Sequence, residues 1–237
     1  MAPKPPAIDV ANNGPYLVRG EVPLSLESIT EVDGGSWTYT HHRAFDVKAS
    51  YALCRCGESG NKPFCDGSHL AVRFDGTETA SRAPFAEQAR TITGPTLALD
   101  DAEALCAYAR FCDNAGGIWN IIESDSPSSH ATAIHEATYC PSGRLVVRHI
   151  AEAMNAEPPH TMSLVLLEDP AEDASGPLFV RGGIPVVSAD GSAYEVRNRQ
   201  TLCRCGRSEN KPFCDGTHAT AKWRDGLLTG SKCRKQY

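Results

Sequence analysis

The chain has 237 residues, 41% of them hydrophobic and 22% charged, with a formal net charge of −6. That composition is ordinary for a soluble globular protein of one large domain or two to three small ones. The negative balance argues against a broad phosphate-binding surface and hence against nucleic acid as a partner, and no apolar run approaches the roughly 20 residues of a membrane span.

The first residues, Met1-Ala-Pro-Lys-Pro-Pro-Ala7, lack the apolar core of a secretory signal. The reading therefore places the chain in a reducing cytosol, with its ten cysteines serving as ligands or buried thiols rather than disulfides. Residues 1–13, rich in Pro and Asn, read as loose. Gly14-Pro-Tyr-Leu-Val-Arg-Gly20 begins an extended segment, and Gly176-Pro-Leu-Phe-Val-Arg-Gly182 repeats it, so a whole domain is duplicated. The first copy has 39 residues between Gly14 and Cys54 and the second 26 between Gly176 and Cys203. The excess predicts a longer loop near Glu31–Gly35. Trp37–Thr40, Ala44–Val47 and Tyr194–Arg197 alternate with period two and predict short antiparallel strands.

Each repeat then presents the same donors. Cys54-Arg-Cys56-Gly-Glu-Ser-Gly-Asn-Lys-Pro-Phe-Cys65-Asp-Gly-Ser-His69 returns as Cys203-Arg-Cys205-Gly-Arg-Ser-Glu-Asn-Lys-Pro-Phe-Cys214-Asp-Gly-Thr-His218. Only Glu58/Arg207, Gly60/Glu209 and Ser68/Thr217 differ. Three thiols and an imidazole at C-x-C-x8-C-x3-H suit zinc or an iron–sulfur cluster and suit calcium or magnesium badly. Cys54 and Cys56, two apart in extended chain, face one way. Cys65 and His69, four apart, share one face of a helical turn. Two pairs gripping two irons make a 2Fe–2S arrangement, while structural Cys3His zinc stands as the alternative although the usual C-x2–4-C knuckle is absent. Asp66 and Asp215 are candidate N-caps for the turn. Arg55 and Lys62 read equally as offsets to thiolate charge or as surface residues.

The middle, about 85–160, differs in kind. Leu99–Phe111 is Ala-rich, has Asp100 and Glu103 at capping-box spacing and reads as a helix ended by Gly116-Gly117. Ile134–Tyr139 predicts another, stopped at Cys140-Pro141. Leu145–His149 and Ser163–Leu167 predict strands, and Glu168–Asp173 a solvated acidic linker. His41, His42, His130, His135, His149 and His160 have no partner at ligand spacing and read as surface or packing residues. Cys233, between Lys232 and Arg234, carries no assignment.

Both motifs resemble the CDGSH iron–sulfur domain family, whose pattern is C-x-C, Ser or Thr, then Pro-x-Cys-Asp-Gly-(Ser/Ala/Thr)-His. Cys54, Cys56, Ser59, Pro63, Cys65, Asp66, Gly67, Ser68 and His69 match it, as do Cys203, Cys205, Ser208, Pro212, Cys214, Asp215, Gly216, Thr217 and His218. The resemblance implies one 2Fe–2S cluster per copy, held by Cys54, Cys56, Cys65 and His69 and by Cys203, Cys205, Cys214 and His218. Single-motif members resemble intertwined homodimers, so the implied architecture is α+β. Two CDGSH-type domains (14–80 and 161–237), built of short antiparallel strands and a cluster-binding lobe, form an intramolecular pseudo-dimer, and the expected state is a monomer. No apolar anchor precedes the first motif, which argues against an outer-membrane location.

Cys106, Cys112 and Cys140-Pro141 are similar to a divergent single-cluster ferredoxin module, with Ala109 where another cysteine would stand, so 85–160 is expected to be a small α+β ferredoxin-like insert. Three cysteines could hold a 3Fe–4S cluster. On a continuous helix, however, residues six apart point about 120° away from each other, so the preferred reading is a relic fold with buried thiols and no metal. No nucleophile–base pair or phosphate loop is present. The expected function is electron transfer or cluster transfer to a redox or cluster-acceptor protein, not enzymatic catalysis; a zinc interaction module and a redox or iron sensor are the alternatives.

Overall fold

The computed structural model describes residues 5–32 and 35–228. Cys233 and the Asp33-Gly34 step of the longer loop lie outside the described residues. In chain order, β1 (Ala7–Val10), β2 (Tyr16–Arg19), β3 (Leu24–Val32), β4 (Ser36–Phe45) and β5 (Ser50–Leu53) lead to the first motif with its one-turn helix α1 (Ser68–Ala71). The middle follows with α2 (Phe85–Gln88), β6 (Arg90–Thr93), β7 (Leu97–Asp101), α3 (Ile118–Ile121), α4 (Pro127–Tyr139), β8 (Leu145–His149) and β9 (Met154–Asn155). Then come β10 (Ser163–Asp169), β11 (Ala174–Arg181), β12 (Val186–Val187), β13 (Arg199–Leu202) and, in the second motif, α5 (Thr217–Thr220). The fold is α+β, with small, mostly antiparallel sheets.

Two sheets share one plan. The strand entering each motif, β5 or β13, pairs antiparallel with the Gly-Pro strand, β2 or β11. That strand pairs antiparallel with β1 or β10. Beyond it, each sheet takes a parallel strand from the other half of the chain: β12 beside β1, β3 beside β10. The two halves are therefore interleaved. Ile8, Tyr16, Val18, Leu24 and Leu53 bury into one core with Leu164, Leu166, Leu178, Val180 and Leu202. Strand β2 alternates, with Tyr16 and Val18 inward and Leu17 exposed. Strand β10 is buried on both faces and so reads as an unbroken apolar run. The third sheet, β6-β7-β8-β9, packs α3 and α4 on its own core of Leu97, Leu99, Ile118, Ile122, Ala133, Ala137, Leu145 and Val147.

Several expectations need correction. Within the Pro-rich start, Ala7–Val10 is a strand, tied down because Ala7, Ile8 and Val10 are buried between β2 and β12. The extra length of the first repeat forms the β3–β4 ladder, Val32 pairing with Ser36, rather than a plain loop. Ala44 and Phe45 end that ladder, whereas Tyr194–Arg197 forms no strand. Glu168 and Asp169 are buried at the end of β10, ion-paired with Arg204 and Arg110, and only the turn after them reaches solvent. The helix expected over Leu99–Phe111 does not form. Leu97–Asp101 is the second strand of a sheet, Glu103–Leu105 a single 3-10 turn, and the segment beyond bends through left-handed Tyr108 (φ 55°) and Arg110 (φ 61°). Asp100 and Asp101 bind Arg148 and Arg144 instead of capping a helix, a case of tertiary pairing overriding local propensity. The Ile134–Tyr139 helix is the end of α4, which begins earlier, at Ser126 accepting from the Ser129 N–H with Pro127 in the first turn. Strands at Leu145–His149 and from Ser163 stand as expected.

Candidate metal centres

Each motif is a loop folded back on the strand that precedes it. The Cys54 N–H donates to the Pro63 carbonyl (2.8 Å) and the Cys65 N–H to Ala52 (2.9 Å). Cys203 to Pro212 (2.8 Å) and Cys214 to Thr201 (3.0 Å) repeat the arrangement. The buried Ser59 and Ser208 hydroxyls each donate to the carbonyl five residues on, Phe64 and Phe213, at 2.7 Å. Asp66 and Asp215 accept from the N–H of Gly60 and Glu209, both at 2.7 Å, and from Ser68 and Thr217 N–H, both at 3.0 Å. The aspartates thus cap the first N–H of α1 and α5 from one position outside Gly67 and Gly216, which hold the cap conformation in the left-handed region. Hydrogen bonds from Ser68 and Gly60 keep the Asp66 carboxyl well below its ordinary range. Burial pushes Asp215 up, but its N–H donors outweigh that and hold it low.

This frame brings the donors together in pairs. Cys54 Sγ and Cys56 Sγ are 3.7 Å apart, as are Cys203 Sγ and Cys205 Sγ. Cys65 Sγ lies 3.4 Å from His69 Nδ1, and Cys214 Sγ 3.3 Å from His218 Nδ1. Two sulfurs each about 2.3 Å from one tetrahedral metal stand about 3.8 Å apart, so each pair has the bite of a single ion. Among the described residues, no group of three or more His, Cys, Asp or Glu side chains gathers as a cage for one ion. The donor set and its pairing fit two bridged irons.

The two sites face different surroundings. In the first, Cys65 and His69 are partly exposed, and Leu70 and Val72 beside them lie open to solvent. In the second, Cys214 and His218 are only 2% and 3% exposed, and burial pushes His218 down to about 4. The cover is the middle segment: a Cβ on Gly216 would come within 2.9 Å of the Tyr108 side chain. Burial also pushes the Cys56 thiol up to about 11 and Cys214 higher than an ordinary thiol, so both are protonated at neutral pH and metal must displace the protons. In the buried Cys203–Cys205 pair, the hydrogen bond between the thiols holds Cys203 down and Cys205 up.

The turns of the two motifs touch reciprocally. A Cβ on Gly57 would stand 2.5 Å from the Cys205 carbonyl, and one on Gly206 2.4 Å from that of Cys56. Both glycines adopt positive φ, 83° and 78°, so no other residue fits comfortably. The Tyr16 hydroxyl crosses from the first half to the Cys203 and Pro212 carbonyls, at 2.7 and 3.0 Å. Leu178, its counterpart in the repeated Gly-Pro strand, lines a crevice with Cys54 and Pro63 instead. Arg55 is not a surface residue, being 2% exposed, and Lys62 donates to the Ser59 carbonyl at 2.6 Å. Sequence reasoning missed Tyr16, Glu168 and Asp225 as neighbours of the motifs.

The middle segment holds a third group. With no helix there, the objection to convergence falls away, and Cys106, Cys112 and Cys140 line one pocket with Ala109, Ser142 and Arg144. Left-handed Arg110 is held by Asp169 (2.7 Å) and Glu172 (3.1 Å) and lies over the Trp37 ring. Burial, then the neighbouring Cys140, pushes the Cys112 thiol up to about 12. Of the remaining histidines, His42 bonds Ser28 (2.8 Å), His130 bonds Thr96 (2.9 Å) and His135 packs on Tyr139, in keeping with structural roles.

Comparison with known families gives two matches. The family described as iron-binding zinc finger, CDGSH type, matches residues 13–70 and again 175–219. The chain thus carries two CDGSH-type segments in tandem. Between the two, residues 92–150 match the family described as divergent 4Fe-4S mono-cluster. Together the matches support iron–sulfur cluster binding by this chain. No curated protein matches the chain. Among the described residues, no helix is long and apolar enough to cross a membrane.

Proposed function

We propose that each CDGSH motif holds one 2Fe–2S cluster through three thiolates and one imidazole, and that the chain carries electrons between protein partners. One observation supports this above the others: the donors of each motif stand in two pairs, each with the spacing of ligands on a single metal. The bound clusters would supply one-electron redox chemistry. The chain's own residues bind them, exclude water and position the histidines. The shared sheet plan, with each sheet borrowing a parallel strand from the other half, supports an internal pseudo-dimer that needs no second copy. The partly exposed His69 corner makes the first site the point of contact with a redox or cluster-acceptor protein.

The middle segment extends the proposal. Three cysteines around one pocket, with Ala109 in the fourth position, suit a 3Fe–4S cluster in a ferredoxin-like insert. Iron and acid-labile sulfide on the purified chain test all of this. About seven irons are expected, against about four for the two binuclear sites alone. Cys112→Ser is expected to bring the first value to the second and leave the 2Fe–2S spectrum intact. A colourless protein carrying zinc in place of iron and sulfide would replace this reading with a structural zinc module.

A further inference from the structure

The repeat is almost identical around its cysteines, yet the arginine inside each C-x-C meets different chemistry. Arg204 is 5% exposed. It donates to the Glu168 carboxylate at 2.7 Å, to the Asp225 carboxylate, and to the Leu167 and Gly176 carbonyls at 2.6 and 2.8 Å. Both carboxylates are buried with it: their side chains are 6% and 0% exposed. Arg55, at 2% exposure, keeps the backbone half of this pattern. It donates to the Gly76 carbonyl at 2.7 Å and to the Ala11 carbonyl at 3.4 Å, and lies over the rings of Tyr16 and Phe74.

The carboxylates have no counterpart in the first half. Gly76 follows His69 by the same step that separates Asp225 from His218. Strand register pairs Val10 with Tyr16 and Leu166 with Leu178, which sets Ala11 against Leu167 and Asn12 against Glu168. Among the described residues, Arg55 makes no ion pair, and its Nε has no hydrogen-bond partner. The exposed Asp75 feels the Arg55 charge but turns its carboxylate onto Thr77 rather than pairing with it. The residue between the first two cysteines is thus, in one motif, a buried arginine with no carboxylate at ion-pair distance among the described residues and, in the other, a buried arginine paired with two carboxylates.

We propose, resting on the two-cluster reading above, that this difference sets the order of reduction: the first cluster accepts an electron before the second, with Arg55 and the Arg204–Asp225–Glu168 group as the tuning residues. Reduction adds one negative charge to a cluster already ligated by thiolates. A buried positive charge on a residue flanked by two ligands stabilises that product, far more so where water is excluded. Two buried carboxylates offset this effect at the second site. Solvent acts in the same sense, because Cys65 and His69 are partly exposed while Cys214 and His218 are buried. Electrons entering the chain thus collect at the open end, where a partner can reach them.

The experiment is an EPR-monitored redox titration of the full-length holoprotein, with iron and sulfide counted on the same sample. His69→Cys and His218→Cys each alter one cluster's spectrum and so assign the two signals. The first site is expected to be half reduced while no more than a tenth of the second is, a separation of about 59 mV for one electron. Asp225→Asn should raise the second potential and close the gap, and Glu168→Gln serves in its place if that variant does not fold. Arg55→Met should lower the first potential and leave the second where it was. Two clusters that titrate together, or in the reverse order, overturn the proposal while leaving the two-cluster reading standing. Fewer than two clusters by iron and sulfide count overturns that reading and this inference with it.

Discussion

Acidification should strip the first cluster before the second, with initial loss near pH 5 roughly tenfold faster at the Cys65–His69 corner. A proton competes with iron for the imidazole nitrogen, so a histidine that resists protonation protects its cluster. His218 is such a residue. Burial, reinforced by the nearby Arg204 cation, pushes it down to about 4. His69 stands partly exposed on a one-turn helix with no buried residue, so protons and competing ligands reach it directly. His69→Cys should therefore abolish the fast phase of visible bleaching, and His218→Cys should leave that phase unchanged. A fast phase that survives His69→Cys, or disappears with His218→Cys, would show that the exposed imidazole is not the weak point.

The same histidine gives the metal-free fold a pH dependence of known sign. An unfolded chain has His218 near its ordinary value of about 6.5, above the folded value of about 4. The unfolded state thus takes up the proton first. This contribution to stability is complete above the ordinary value and is lost as pH falls from there through the folded one.

What the sequence made legible was whatever is local. The ligand pairs are spaced two and four residues apart, so their convergence follows from strand and helix geometry without knowledge of the rest. The hidden features are the long-range ones. Leu97–Asp101 sits among Ala-rich residues with helical propensity, but its partners are Arg90–Thr93 and Leu145–His149, and pairing with them decides its state. Ala7–Val10 is a strand held between Tyr16–Arg19 and the distant Val186 and Val187. The ion pairs of Arg204 join residues 36 and 21 apart along the chain. Two near-identical motifs consequently look equivalent in sequence, and their inequality is written in Glu168, Asp225 and the Cys106–Cys112 segment outside them.

Arg199 ties the middle segment to the second motif, and Arg199→Met should cost about 3–5 kcal/mol of unfolding free energy. The side chain is completely buried on β13, four residues before Cys203. Its Nε and Nη2 hold the Glu157 carboxylate at 2.6 and 2.8 Å. The same guanidinium donates to the Ala137 and Cys140 carbonyls at the end of α4 and to the Leu145 carbonyl that opens β8. Methionine fills similar volume with no donor. It would take one donor from each of three carbonyls and leave the Glu157 carboxylate, whose side chain is only 11% exposed, with Asn198 as a donor but no cation, and a buried charge deprived of its partner costs more than the pair contributed. Adding Glu157→Leu to Arg199→Met should recover a substantial part of the loss, because the lone charge is then gone. Chemical denaturation of the two single variants and the double variant measures the coupling. The Cys140 carbonyl is one of the acceptors, so Arg199→Met should also loosen the three-cysteine pocket and lower its iron retention, while the first CDGSH site, which shares no contact with Arg199, keeps its spectrum. If Arg199→Met unfolds within experimental error of the parent chain, the joint between the two units must be carried by packing alone.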